Sequence, residues 1–305
     1  MIRSVTITNY LAEAVKITLA DDEPEHGFYI RSMEGLGPAK ANINTTDLAT
    51  NDGSLFNMSR LDRRNILIQL LFEFSPKIED ARQRTYKFLP IKKPLEILIE
   101  TDNRTVKATG YVESNEPEVF SEGEGCQISI ICPDPYFYSA GDDGINETIF
   151  YGVDPLFEFV FSNESLTENL IEFGSIENST ERTVYYDGDA EVGVVIYIHA
   201  IGEARMLTIY NTGTREVMKI DTNKLEQLTG SGIVASDDII ISTVRGDKYV
   251  RLLREGRYTN ILNCLDKGSD WFQLAKGDNI FAYEAEYGSE NLQFKVENRI
   301  LYEGV

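Results

Sequence analysis

The chain has 305 residues, 42% of them hydrophobic and 26% charged, which is enough apolar material for more than one buried core and too much for a disordered chain. Its formal net charge of −21 excludes a general nucleic-acid binder, because a polyanion is held by clustered Lys and Arg that displace its counterions. The same charge opposes docking on anionic lipid, and the longest apolar run, around Val192 to Ile201, is too short to span a bilayer.

The opening MIRSVTITNY has the pattern of a strand and not of a secretory signal, so synthesis in the cytoplasm is expected. His26 follows the acidic stretch DDEPE and fits a solvated loop. From Met33 to Arg64 the chain has weak periodicity and many Asn, Thr and Gly residues. That is longer than a compact domain needs for a connection, and such arms commonly serve a neighbouring subunit. Strict alternation follows in RNILIQLLFEF, where Ile66, Ile68, Leu70, Phe72 and Phe74 share one face of a core strand, with Leu67 and Leu71 partly covered on the other.

Ser75 and Pro76 stop that strand, and Pro76 suits the first turn of a helix through IEDARQRTYKF. Early acids Glu79 and Asp80 favour the helix start, and Ile78, Ala81, Arg82, Thr85 and Tyr86 form its expected packing face. Strands are predicted on both sides of the turn Asp102-Asn103, and GCQISIICP reads as another. The stretch Cys132 to Tyr138, dense in proline and aromatic residues, is expected to be a stiff connector whose Tyr136, Phe137 and Tyr138 wedge between two domains, 1–138 and 139–305.

Beyond it only strand-like segments are predicted: LFEFVF, EVGVVIYIH, MLTIYN, DIIISTV, KYVRLL, NIFAYEAE and NLQFKVENR. This is the pattern of a β-sandwich, with turns at Asn211-Thr212-Gly213-Thr214 and Gly246-Asp247. The fold class is therefore mainly β: a barrel or sandwich with one helix, followed by a second sandwich.

Chemistry-bearing residues are sparse. Only His26 and His199 are present, in different predicted domains, and neither has a nucleophile at a recognisable spacing. Acidic pairs at Asp142-Asp143, Asp187-Gly-Asp189 and Asp237-Asp238 spell no metal loop, and zinc spacings, a P-loop and a dinucleotide fingerprint are absent. Catalytic, cofactor and metal residues are therefore assigned to none. Cys126, Cys132 and Cys264 are expected to be buried free thiols. Arg245-Gly246-Asp247 is explained by its turn. Trp271, the single tryptophan, is a candidate for stacking on a sugar ring, with a core or edge position as the alternative.

Four segments of the first domain and several of the second resemble siphophage distal tail proteins: DGSLFNMSRLDRRNILIQL, the helix ARQRTYKFLP with IKKPLEI, VKATGYVESNEPEVF, and QISIICPDPYFYS, then IYNTGTREVMKIDT, VRGDKYVRLL, GRYTNIL and FQLAKGDNIFAYEAE. The resemblance covers most of the chain, and CPDPYFYS is its most specific element. It implies a ring-forming N-terminal domain carrying a galectin-like or carbohydrate-module-like sandwich, in a hexameric ring at the distal end of a virion tail. It further implies partners among the tail tube protein, the tape-measure protein and a tail tip, tail-associated lysin or receptor-binding protein, with no enzyme activity. The rival reading is a carbohydrate-binding adhesion module, although the galectin cluster of His, Asn, Arg, Trp and Glu is not legible around Trp271.

Overall fold

In the computed structural model, residues 1–17, 27–48, 52–72, 77–120, 124–141, 144–154 and 175–305 are described. His26, Phe74, Ser75, Pro76, Asp142, Asp143 and the predicted strand LFEFVF lie outside them. The chain divides into two compact units, Met1–Gly144 with Leu301–Val305, and Ile145–Ile300.

The first unit contains β1 (Ile2–Thr8), β2 (Ala14–Ile17), β3 (Phe28–Glu34), β4 (Ala41–Asp47), β5 (Ser54–Leu61), β6 (Arg64–Phe72), α1 (Ile78–Phe88), β7 (Pro94–Thr101), β8 (Thr105–Glu118), β9 (Gly125–Cys132) and β10 (Phe137–Ser139). The second holds β11 (Ile145–Ile149), β12 (Tyr151–Asp154), β13 (Ser175–Asn178), β14 (Glu181–Tyr186), β15 (Val192–Gly193), β16 (Val195–Ala200), β17 (Arg205–Asn211), β18 (Glu216–Ile220), α2 (Thr222–Thr229), β19 (Asp238–Ser242), β20 (Tyr249–Arg254), β21 (Arg257–Asn260), β22 (Gln273–Leu274), β23 (Gly277–Tyr287) and β24 (Leu292–Arg299). The last strand, β25 (Leu301–Tyr302), returns to the first unit.

The main sheet of the first unit runs β2-β1-β7-β8-β9-β6-β3, with β10 pairing both β8 and β25. Among the described residues β2 and β3 do not pair, so the barrel alternative is corrected: the sheet stays open. In β6 the alternation places Ile66, Ile68, Leu70 and Phe72 in the core, while Leu67 and Leu71 are half-buried, as their opposite-face position implies. The helix α1 has the bounds read from the sequence, with a changed face. Ala81, Thr85 and Phe88 are buried and Tyr86 is exposed, because Phe88 and the following Leu89 reach the core first.

The Pro-rich stretch is built into this unit. Phe137 is fully buried in its core, Tyr138 pairs with Lys107 of β8 and Leu301 of β25, and Asp134 accepts hydrogen bonds from the Tyr136 amide and the Tyr138 hydroxyl.

The second unit has a six-stranded sheet, β11-β24-β16-β19-β20-β21, and a four-stranded one, β14-β23-β17-β18. The stacked rings of Tyr283 (β23) and Phe294 (β24), 3.8 Å between centroids, join the two sheets in one core with Phe150 beside both. The turn after β17 is closed by Asn211, whose Oδ1 accepts from the Gly213 and Thr214 amides, and Gly246 takes the positive φ expected of it. The all-strand expectation misses α2. Asp221 caps this helix by accepting from the Asn223 and Lys224 amides, and left-handed Gly230 ends it.

Candidate functional site

The weakly periodic segment after Met33 forms a hairpin of β4 and β5 that, among the described residues, pairs with no other strand. Ala41 faces Leu61 at its root, Thr46 faces Leu55 near its turn, and Asn57 is the extra residue of a bulge between Met58 and Phe56. Asn57 Nδ2 donates to Asn44 Oδ1 and Thr46 Oγ1, fixing the bulge. Cross-strand register sorts the large apolar side chains: Ile43 and Phe56 share one face, Leu55 and Met58 the other. All four are exposed, by 62, 60, 58 and 54% respectively.

A two-stranded hairpin with neither face covered is marginal in water. Here its root is held rigidly. Gly35, at φ +83°, opens the arm where an added Cβ would lie 2.0 Å from the Asn65 carbonyl oxygen, so only glycine fits. Arg64 closes the arm, and its side chain is buried. Its guanidinium donates to the carbonyls of Gly35 and Gly37, to Pro135 at 2.8 Å and to Glu303 at 2.6 Å, and lies over the Phe137 ring at 4.3 Å. One cation thus ties the arm's outgoing root, the Pro-rich stretch and the last strand's continuation. Burial lowers its pKa, opposed by Cys132, Asp134 and Glu303. Val305 adds a backbone bond to Leu36.

The other sequence candidates are dispersed. Phe272 is fully buried in the second unit, whereas Trp271 is half-buried, with the Lys248 ammonium 5.1 Å from its indole ring. His199 Nδ1 is 2.6 Å from Asp238 Oδ1 on the neighbouring strand, with both side chains near half exposure. Asp237 is buried in a different pairing, with Arg254. Among the described residues no group of His, Cys, Asp and Glu could hold a metal, and no helix is long and apolar enough to cross a membrane. All three cysteines are free and buried, and burial pushes the Cys126 thiol to about 12 and that of Cys132 to about 11.

The sequence marks the arm but not the role of Arg64, whose RLDRR context resembles any solvated basic run. Nor does it mark the turn after β1, which begins inside the stretch MIRSVTITNY that reads as one strand. No family model and no curated protein matches the chain.

Its structure is similar to that of SPP1 Dit, described as a paradigm of the hub adsorption apparatus in phages infecting Gram-positive bacteria, with a TM-score of 0.66 at 12% identity, covering 97% of this chain and 99% of that one. The chain has the Dit fold. A chain of the phage p2 baseplate, in its activated conformation with Sr, gives a TM-score of 0.50 at 12% identity over 98% of this chain and 99% of that one. Coverage at this level means that the Dit fold includes both units. The fold likeness spans the same stretch of chain as the resemblance read from segments such as CPDPYFYS.

Proposed function

We propose that this chain is a ring-forming structural subunit of a phage tail hub, joining the tail tube to the tip without performing chemistry. The observation that carries the reading is the hairpin β4–β5, two-sided and apolar on both faces. Burying one such side chain is worth about 1.5–3 kcal/mol, so a neighbour that covers both faces stabilises the arm where water does not. Charge supports a second copy of this chain as that neighbour. In a protein of net charge −21, the two arm strands carry only one acid, Asp47, and one base, Arg60, so the arm adds little to the overall repulsion between two acidic copies. The SPP1 hub likeness supports the tail setting. On this reading the first unit forms the ring, six copies close it, and the second unit is a galectin-like module. Tail tube, tape-measure and tip proteins meet the ring faces.

The test is light scattering on the purified full chain. A closed oligomer of defined mass is expected, and Phe56→Asp with Met58→Asp, which places a charge on each arm face, should leave monomer. Wild-type protein that stays monomeric at every concentration, or arm variants that still assemble, would overturn the reading.

A further inference from the structure

A ring built head to tail needs an arm and a different surface to receive it, because a heterologous contact joins two unlike patches. The first unit presents a second exposed apolar cluster away from the arm. Tyr10 and Leu11 lie in the turn between β1 and β2, Ile91 lies in the loop between α1 and β7, and Tyr111 lies on β8 opposite Pro94. Lys93 Nζ sits 5.3 Å from the Tyr10 ring, drawing the two loops together, and Lys92 is beside it.

Both loops are built to hold this surface out. Asn9 is buried, and its Oδ1 accepts from the Leu11 and Glu13 amides while its Nδ2 donates to the Glu13 carboxylate, so the turn is cross-braced with Tyr10 and Leu11 facing solvent. Ala12 has φ +62° and Lys92 has φ +69°. They are the only non-glycine residues of the first unit with positive φ among those described, and one falls in each loop. Left-handed backbone at Ala and Lys costs free energy and persists where a site over-determines it.

Register puts this cluster and the arm root at one end of the same sheet. Asn65 pairs with Ile131, Ile131 with Tyr111, and Tyr111 with Pro94, while Thr8 of β1 pairs with Glu96. The arm leaves between β3 and β6, at one end of the strand order, and the Tyr10 turn lies between β1 and β2, at the other. At about 3.3 Å per residue an eight-residue strand projects roughly 25 Å, enough to reach across a subunit boundary. Charge is complementary as well. Between Ile43 and Met58 the arm carries Asp47 and Asp52 and no base, while the cluster presents Lys92 and Lys93.

We infer that the cluster of Tyr10, Leu11, Ile91 and Tyr111, edged by Lys92 and Lys93, is the acceptor for the β4–β5 arm of a second copy of this chain. This rests on the ring reading and specifies its other half. Two variants of the full chain test it: an arm variant, Phe56→Asp with Met58→Asp, and an acceptor variant, Tyr10→Ser with Leu11→Asp. Each alone should lose all species above monomer in light scattering. Mixed, they should give a dimer and nothing larger, because one intact arm then meets one intact acceptor and no further contact remains.

Leu11 is 60% exposed, so the acceptor variant should keep its circular dichroism spectrum; should it unfold, Ile91→Asp with Lys92→Glu carries the same test. If the folded acceptor variant assembles like wild type while the arm variant is monomeric, the acceptor assignment falls and the ring reading stands. A mixture that yields only monomer also overturns the assignment, and a wild-type chain that never assembles overturns both.

Discussion

At the scale of single residues, Arg64 is the group on which most geometry converges. A buried guanidinium with backbone carbonyls as its acceptors cannot be replaced by lysine, whose compact ammonium lacks the planar fork that reaches several carbonyls at once. Removing it takes the donor away from the half-buried carbonyls of Pro135 and Glu303, at about 1–3 kcal/mol each, whereas the carbonyls of the exposed Gly35 and Gly37 can turn to water. Arg64→Met should therefore destabilise the first unit by about 3 kcal/mol or more in urea denaturation, and Arg64→Lys should recover little of it. Equal stability of the lysine variant and wild type would show that charge alone is required. The thiols give a pH prediction. Burial raises both Cys126 and Cys132 from their ordinary value of 9.0, so the folded state holds their protons more tightly than the unfolded state. That contribution is complete below pH 9 and is lost as pH rises toward 11 and 12. Stability should decline with alkali over this window, and a thiol reagent at pH 8 should label neither cysteine until denaturant is added. Rapid labelling of the native chain would refute the burial.

At the scale of elements, legibility in the sequence depends on whether an element buries one face. Strand β6 is legible because its inward face is fully buried, so alternation is enforced at every second position. The arm strands show no such pattern because both faces are exposed. Their weak periodicity marks an arm but not a hairpin with apolar pairs on each side. Helix α2 is not legible because its local signals, Asp221 ahead of it and Gly230 after it, flank only eight residues inside a run of strands. The capping chemistry is nevertheless present, and Asp221→Ala should cost about 1 kcal/mol in the second unit, read by thermal denaturation; no measurable change would mean the cap is idle. The turn of Tyr10 and Leu11 was hidden for a different reason. It contains neither Gly nor Pro, and a buried Asn9 side chain supplies the closure that those residues usually signal.

At the scale of the whole molecule, the chain passes between its units twice, once before Ile145 and again at Leu301, so the first unit is complete only after the second has been made. The returning residues are tightly used. Leu301 and Tyr302 pair with β10, the Glu303 carbonyl accepts from Arg64, the Gly304 carbonyl accepts from Arg104, and the Arg104 guanidinium lies 4.4 Å from the Tyr302 ring centroid. Sequence gives no sign of this return, since Leu301-Tyr302 is too short to show a period. Deleting Leu301–Val305 should therefore damage the unit that is distant in sequence and spare the adjacent one. Losing these bonds costs about 3 kcal/mol, which for a unit of this size corresponds to roughly 6–12 °C in Tm. The single tryptophan, Trp271, lies in the second unit, so its fluorescence follows that unit alone while circular dichroism follows both. The truncated chain should show a dichroism transition moved to lower temperature and a tryptophan transition left in place. A tryptophan transition that moves with the dichroism would place the stabilising role of the returning strand in the second unit instead, contrary to its pairing with β10.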